Sequence, residues 1–333
     1  MSISRSTSIG APWLEFLEGS LAQVETLLQS EIDSPVRTIG SICGRSISSG
    51  GKRLRPALVI LGALSADPDA DISRAISLGV SVEMLHLATL LHDDVVDNSD
   101  SRRGSASANA LYGNKVSVLV GDYLLAKTFG ILAVDGEKKI IDSMARVAVA
   151  LSEGQVLELV MRGSLGELES LYWKMIDRKT ARLISACLEI GAISAGASDK
   201  IVEAVGSFGE RLGLVFQITD DMLDLVGNSE TAGKPVGADL LDGKVTLPYI
   251  LALKEASTEV RDSLLERILE RTLEPEDVDY LTDLAHAKGI PQACNDLARE
   301  QVDLAMRHLA LMPVTPARSI LEDIGPYLLR RSA

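Results

Sequence analysis

Apolar residues recur along this chain at spacings of three and four from one end to the other. In Trp13-Leu14-x-x-Leu17-x-x-x-Leu21-x-x-Val24 they mark one side of an amphipathic helix, since such positions share a face when 3.6 residues make a turn. The same spacing predicts helices over roughly 36–48, 54–66, 71–97, 114–134, 137–162, 167–195, 198–226, 244–256, 258–271, 275–288, 290–311 and 316–331. Local signals agree with these limits. Asp71 and Ser198 have the short polar side chains of N-caps, Pro275, Pro291 and Pro316 stand near helix beginnings, and Gly136 and Gly289 stand where a helix should end or turn. No segment sustains two-residue alternation with β-branched enrichment, so no strand is predicted. With no repeat, linker or low-complexity tract to divide it, the chain is expected to form one all-α domain spanning residues 1–333.

Composition narrows the picture. Hydrophobic residues make up 46% but aromatics only 4%, so the core must be built from Leu, Ile, Val and Ala, a mixture suited to helix-on-helix packing. A net charge of −14 argues against duplex nucleic acid as a partner, which would call for a basic face. It leaves room for a small phosphorylated substrate, because a few local cations or a bound metal reverse the sign within a site. Cys43, Cys187 and Cys294 are odd in number and form no C-x-x-C pair, as expected of packed, reduced thiols. The N-terminus has no apolar core of a signal peptide, and no uninterrupted apolar run approaches the ~18–20 residues of a membrane span. A soluble, cytoplasmic protein is the expectation.

Three polar stretches interrupt the apolar stripes: 49–55 (SGGKRLR), 92–104 (HDDVVDNSDSRRG) and 217–244 (QITDDMLD through LLDGK). In the second, Asp93, Asp94 and Asp97 have i, i+3 and i, i+4 spacings, so a helix crowds their carboxylates on one side. Each like-charged pair costs about 0.2–0.5 kcal/mol even when solvated. The apolar run Leu85–Leu91 just before them makes burial, and a larger cost, the expectation. Mg²⁺ would compensate them, being a hard cation that takes one or two carboxylates together with substrate phosphates. One such cluster could equally be a solvated acidic helix end. Asp220, Asp221 and Asp224 repeat the spacing on a second apolar helix, and two facing clusters could hold several ions around a diphosphate. Cations suited to phosphate flank them: Lys52, Arg53 and Arg55 after Gly50-Gly51, the pair Arg102-Arg103, and Lys179, Lys234 and Lys244.

These residues resemble those of the trans-polyprenyl diphosphate synthases (isoprenyl diphosphate synthases). The likeness runs from GGKRLRP (50–56) through LHDDVVDNSDSRRG (91–104), GNKVSVLVGDYLL (113–125), RKTARL (178–183) and GLVFQITDDMLD (213–224) to GKPVGADLLDGKVTLP (233–248). The first 40 and last 80 or so residues share only helical character with it. The resemblance implies an all-α helical bundle around a deep central cavity, the isoprenoid synthase fold, assembled as a homodimer. It implies three Mg²⁺ ions held through Asp93, Asp97 and Asp220, with Asp94, Asp221 and Asp224 nearby. Lys52, Arg55, His86 and Arg103 would bind isopentenyl diphosphate, and Arg102, Lys179, Lys234 and Lys244 the allylic diphosphate. Thr180 and Gln217 would turn oxygens toward an allylic carbocation. His86 lies seven residues before Asp93 and so on nearly the same helix face. The chain departs from the family pattern at Asn98, where Glu is common, and at EGQVLEL (153–159), which looks like EGEVLQL with two residues exchanged.

Product length depends, in that family, on the residues four and five places before the first aspartate. Here they are Thr89 and Ala88, small enough to leave a tunnel open, and Phe129 stands where longer-chain members place a tunnel floor, although ordinary core packing would also account for it. The implied product is a medium- to long-chain all-trans polyprenyl diphosphate, about C30 to C45, a quinone side-chain precursor whose release could involve peripheral membrane contact. A C20 (geranylgeranyl) synthase is the alternative within the class. A class I terpene cyclase would not need a second diphosphate site such as GGKRLRP, His86 and Arg103 offer. A non-catalytic subunit of a heteromeric synthase would be expected to lack one aspartate motif.

Overall fold

A computed structural model describes residues 11–48, 51–102, 104–161, 163–227 and 237–330. The expected helices are present. The N-terminal stripe is broken at Leu17 into α1 (Pro12–Phe16) and α2 (Glu18–Glu31), followed by α3 (Arg37–Ser48), α4 (Leu54–Ala66) and α5 (Ser73–Val96). Next come α6 (Ala108–Tyr112), α7 (Asn114–Asp135), α8 (Lys138–Val160) and α9 (Leu165–Ile176). A π-helical turn, Asp177–Ala181, joins α9 to α10 (Arg182–Ser194), where one unbroken helix was expected. The chain continues through α11 (Asp199–Val226), α12 (Ala238–Leu241), α13 (Leu247–Glu255), α14 (Thr258–Glu270), α15 (Pro275–Ala287), α16 (Ile290–Leu309) and α17 (Pro316–Leu329).

The proline and glycine signals act as read, whereas Ser198 caps α11 without a side-chain hydrogen bond and Asp71 lies one residue ahead of the α5 cap. Pro275, Pro291 and Pro316 occupy first-turn positions, and Gly136 ends α7 in the left-handed conformation at φ 73°. The Asp71 carboxylate accepts from the amide and hydroxyl of Ser73. One element was not anticipated: β1 (Ser101–Arg102) and β2 (Ser105–Ala106) form a two-residue antiparallel pair. It is too short to leave an alternating pattern.

Two apolar cores hold the fold. The first gathers α1 to α5, α7, α8, α10, the first part of α11, the last turns of α16, and α17. The second gathers α9, the last turns of α11 and the helices from α12 to α16. Helix α11 belongs to both, with Val205, Phe208 and Val215 in the first and Ile218, Met222 and Leu225 in the second. Close approach of α4 to α10 requires glycine: a Cβ on Gly191 would stand 2.0 Å from the Val59 carbonyl oxygen. Cys43, Cys187 and Cys294 are free and buried.

Counting uninterrupted apolar runs understates two elements. By length and composition α5 and α7 could each cross a membrane. For α5 the apolar window is 72% buried, which marks it as a core helix. Only 33% of the corresponding window of α7 is buried, and Val118, Leu119, Phe129 and Val134 are exposed along it.

Candidate active site

The C-terminal end of α5 carries Asp93 and Asp94, and Asp97 caps it with its amide bonded to the Asp93 carbonyl at 2.8 Å. The end of α11 carries Asp220, Asp221 and Asp224. Folding brings the two ends together through lysine: Lys244 Nζ donates to Asp97 Oδ2 at 2.9 Å and also lines a cavity that contains Asp221. This cavity, about 190 Å³, is bounded by Glu158, Lys179, Gln217, Asp221, Asp239 and Lys244 among polar groups, with Met161, Met175 and Val245 as apolar wall.

Each aspartate has its own surroundings. Burial pushes the Asp93 carboxyl up; Glu158 and Asp97 push the same way, while Lys179 and Arg102 oppose them. Asp94 is buried and receives Arg102 from β1, with both Nε and Nη2 2.7 Å from Oδ1. The short strand pair thus aims Arg102 at the first cluster. Asp221 accepts from Tyr172 Oη at 2.6 Å and from Gln217 Nε2 at 2.8 Å. Burial, helped by Asp239 and Asp220, pushes its carboxyl up to about 8 against those two hydrogen bonds. Asp224 Oδ1 accepts from the Asp239 amide at 3.3 Å.

The π turn places the next groups. Lys179 donates to Glu158 Oε2 at 2.5 Å, and Thr180 donates to Gln217 Oε1 at 2.7 Å. Gln217 therefore links Thr180 to Asp221 in a continuous hydrogen-bonded chain. Burial would lower the Lys244 ammonium, but Glu158, Asp97 and Asp239 outweigh it and hold the group up to about 12. Lys244 therefore stays charged.

A family model described as Polyprenyl synthetase matches residues 36–285. The octaprenyl diphosphate synthase of Escherichia coli (strain K12) is 33% identical over 321 residues, covering 95% of this chain and 97% of that protein. The chain belongs to the polyprenyl synthetase family. It is accordingly an enzyme of the prenyltransferase class. The heptaprenyl diphosphate synthase component 2 of Geobacillus stearothermophilus is likewise 33% identical, over 95% of this chain and 97% of that one. A polyprenyl synthase from Caulobacter crescentus CB15, crystallised with calcium and isoprenyl diphosphate, superposes with a TM-score of 0.90 at 36% identity, covering 97% and 98% of the two chains. The all-α isoprenoid synthase fold follows from this match.

The other expected site residues occupy positions that differ in kind. Lys52 lies ahead of α4, Arg55 in its first turn, and His86 on α5 with its carbonyl accepting from Thr89 Oγ1 at 2.8 Å. Ala88 is buried and Thr89 half-buried on the same helix. Arg103 and Lys234 fall outside the described residues. Phe129 differs from the expectation. It is 47% exposed on α7 rather than enclosed, as a tunnel floor within one chain would be. The physical reason is the incomplete cover over α7.

Sequence reasoning passed over three residues and misplaced a fourth. Glu158 was visible only as an oddity in EGQVLEL, yet it is the partner of Lys179. Tyr172 and Asp239 carried no local signal, being a tyrosine on an apolar helix and an aspartate in the four-residue helix α12. Arg53, counted among the basic residues, is buried and ion-paired with Glu25 and with Glu83, the latter at 3.1 Å.

Hard carboxylate oxygens crowded together and partly buried suit a divalent cation. Among the described residues no three acidic, His or Cys side chains are gathered closely enough to hold an ion unaided. An ion there would complete its shell with water and substrate oxygens, which is the habit of Mg²⁺.

Proposed function

We propose that the cavity at the end of α11, joined to the end of α5 through Lys244, binds an allylic diphosphate beside isopentenyl diphosphate and joins them, making a medium- to long-chain all-trans polyprenyl diphosphate. The observation that carries this reading is Lys244, bonded to Asp97 of the first cluster while lining the same cavity as Asp221 of the second. Asp93, Asp97 and Asp220 would hold Mg²⁺, three ions by family resemblance, of the divalent class that the Caulobacter relative holds as calcium. Bound there, Mg²⁺ supplies Lewis-acid neutralisation of charge on the departing diphosphate.

The side chains do the rest. Lys179 and Lys244 are donors whose present acceptors, Glu158 and Asp97, give way to diphosphate oxygens; Arg102 adds to that cradle, and Lys234 would join it by family resemblance. The leaving C–O bond takes its electron pair onto the diphosphate. Thr180 and Gln217, fixed by their mutual hydrogen bond and by Asp221, present oxygens to the allylic cation so formed. Apolar walls keep water from quenching it. Lys52, Arg55, His86 and Arg103 hold isopentenyl diphosphate so that its double bond attacks the cation, and the proton then released passes to the departed diphosphate.

The exposed apolar face of α7, where Leu119 is 66% and Val134 90% exposed, together with Val149, Val156, Leu159 and Val160 of α8, supports assembly as a homodimer. Small residues at Ala88 and Thr89 support a product of about C30 to C45 for a quinone side chain. In this reading the enzyme works in the cytoplasm as one catalytic domain, with peripheral membrane contact when its lipid product leaves.

Incubation of the purified chain with Mg²⁺, isopentenyl diphosphate and farnesyl diphosphate should give EDTA-sensitive elongation, with product length read by chromatography. No elongation under any of these conditions refutes the reading. Elongation only after a second subunit is added would make the chain one component of a heteromeric synthase, as the Geobacillus relative's name describes that protein.

A further inference from the structure

We infer that Trp13 and Tyr327 are positioning residues for Lys52, so that the two ends of the chain jointly set the affinity for isopentenyl diphosphate. The inference rests on the proposed role of Lys52. Both aromatic residues lie outside the span 36–285 matched by the family model, in the terminal helices α1 and α17.

Lys52 is an exposed lysine in a loop, the kind of side chain whose rotamer freedom works against binding. Here it is held at two points. Its ammonium donates to the Tyr327 hydroxyl and stands 5.1 Å from the centre of the tyrosine ring. Its carbonyl accepts from the Trp13 indole N–H at 3.0 Å. The two rings meet edge-on, 5.7 Å between centroids and 82° between planes, and both are buried. One aromatic pair therefore fixes the backbone and the charged tip of the same residue.

The next residue is anchored from the other side. Arg53 has left-handed backbone at φ 45° and ties its guanidinium to Glu25, to Glu83 and to the Ile47 carbonyl, the last at 2.9 Å. The Tyr327 contact also differs in kind from those of Lys179 and Lys244, which face carboxylates. A neutral hydroxyl occupies one of three ammonium donors and leaves the positive charge uncancelled, which suits a group awaiting an anion.

Tyr327→Phe keeps the ring and removes the acceptor. It should raise KM for isopentenyl diphosphate about tenfold, the worth of a charge-assisted hydrogen bond, with kcat and the allylic KM within about twofold of wild type. Trp13→Phe should act in the same direction through the lost carbonyl contact, and provides a second test should Tyr327→Phe unfold near the assay temperature. Lys52→Ala should raise the same KM, and Tyr327→Phe added to it should raise it no further. Wild-type KM values in both aromatic variants, parallel changes in the two KM values, or additivity with Lys52→Ala would each overturn the inference. A wild-type chain that elongates while the variants behave so removes only this positioning role; a wild-type chain that elongates nothing removes the proposed reaction itself.

Discussion

Replacing Gly154 by alanine tests whether α8 holds the π turn in place. A Cβ at that position would stand 2.8 Å from the Lys179 amide nitrogen, 3.0 Å from Lys179 Cβ and 3.1 Å from Arg178 Cβ. Comfortable carbon contacts begin near ~3.5 Å, so the turn must retreat by roughly half an ångström. None of the three atoms is the free end of a flexible side chain, so the backbone itself has to move. Such overpacking costs about 1–3 kcal/mol, while alanine in a helix interior returns about 0.5–1 kcal/mol, leaving a net loss of roughly 1–2 kcal/mol. The kinetic effect should be larger than the stability loss suggests, because the displaced turn carries Lys179 and Thr180. Misplacing a catalytic group by ~1 Å can cost ~100-fold, so kcat should fall about 10- to 100-fold. Gly44→Ala is the control: nothing lies within 4 Å of its Cβ, in the middle of α3. That variant should keep its activity and gain up to about 1 kcal/mol. Urea unfolding and steady-state elongation measure both quantities. If Gly154→Ala matches Gly44→Ala in stability and in kcat, the π turn is not pinned by α8.

Lys244→Ala leaves Asp97, Glu158 and Asp239 facing one another, and loss of one partner of a buried charge pair costs about 2–5 kcal/mol, so kcat/KM for the allylic substrate should fall at least ~30-fold, with partial recovery in Lys244→Arg. Ala88→Phe should shorten the product while leaving the aspartate clusters intact; unchanged product length would mean that the growing chain does not pass Ala88. Tyr172→Phe should be pH-dependent in the metal-free protein. The folded-state pKa of Asp221, about 8, lies above its ordinary value, so the native state holds a proton that the unfolded chain releases, and stability declines from weakly acidic pH up through 8. Because Tyr172 favours the ionised form, removing its hydroxyl should cost more near pH 9 than near pH 6, by about 1–2 kcal/mol, as read by denaturant unfolding; equal costs would show that Asp221 does not titrate in that window.

Much of this could be read before folding was considered. Helical stripes, proline starts and glycine stops are local, so the limits of α11, α15 and α16 follow from residues beside them. The paired aspartates were legible because three carboxylates beside an apolar run need an explanation wherever the helix goes. What escaped notice depends on contacts distant in sequence. No spacing rule links Tyr172 to Asp221 or Glu158 to Lys179. The stretch 167–195 reads as one helix because its apolar spacing passes through 177–181 without a proline or a glycine. Phe129 was placed by its position in a motif, but its exposure depends on what packs against α7. Trp13 and Tyr327 lie where the family likeness is weakest, and only folding brings them to Lys52.

The π turn at Asp177–Ala181 also changes the phase of the chain. An α-helix advances by about 100° per residue, and a wider turn lodges roughly one extra residue in the same rise. Helix α10 is thereby rotated about its axis relative to α9. Tyr172, Met175 and Ile176 therefore look into the second core, whereas Leu183, Ile184 and Cys187 look into the first. A one-residue deletion within 177–181 would restore regular winding and turn one of these faces away from its core. Lys179 and Thr180 sit on the joint itself, so the residue that sets the rotation also sets where their side chains point.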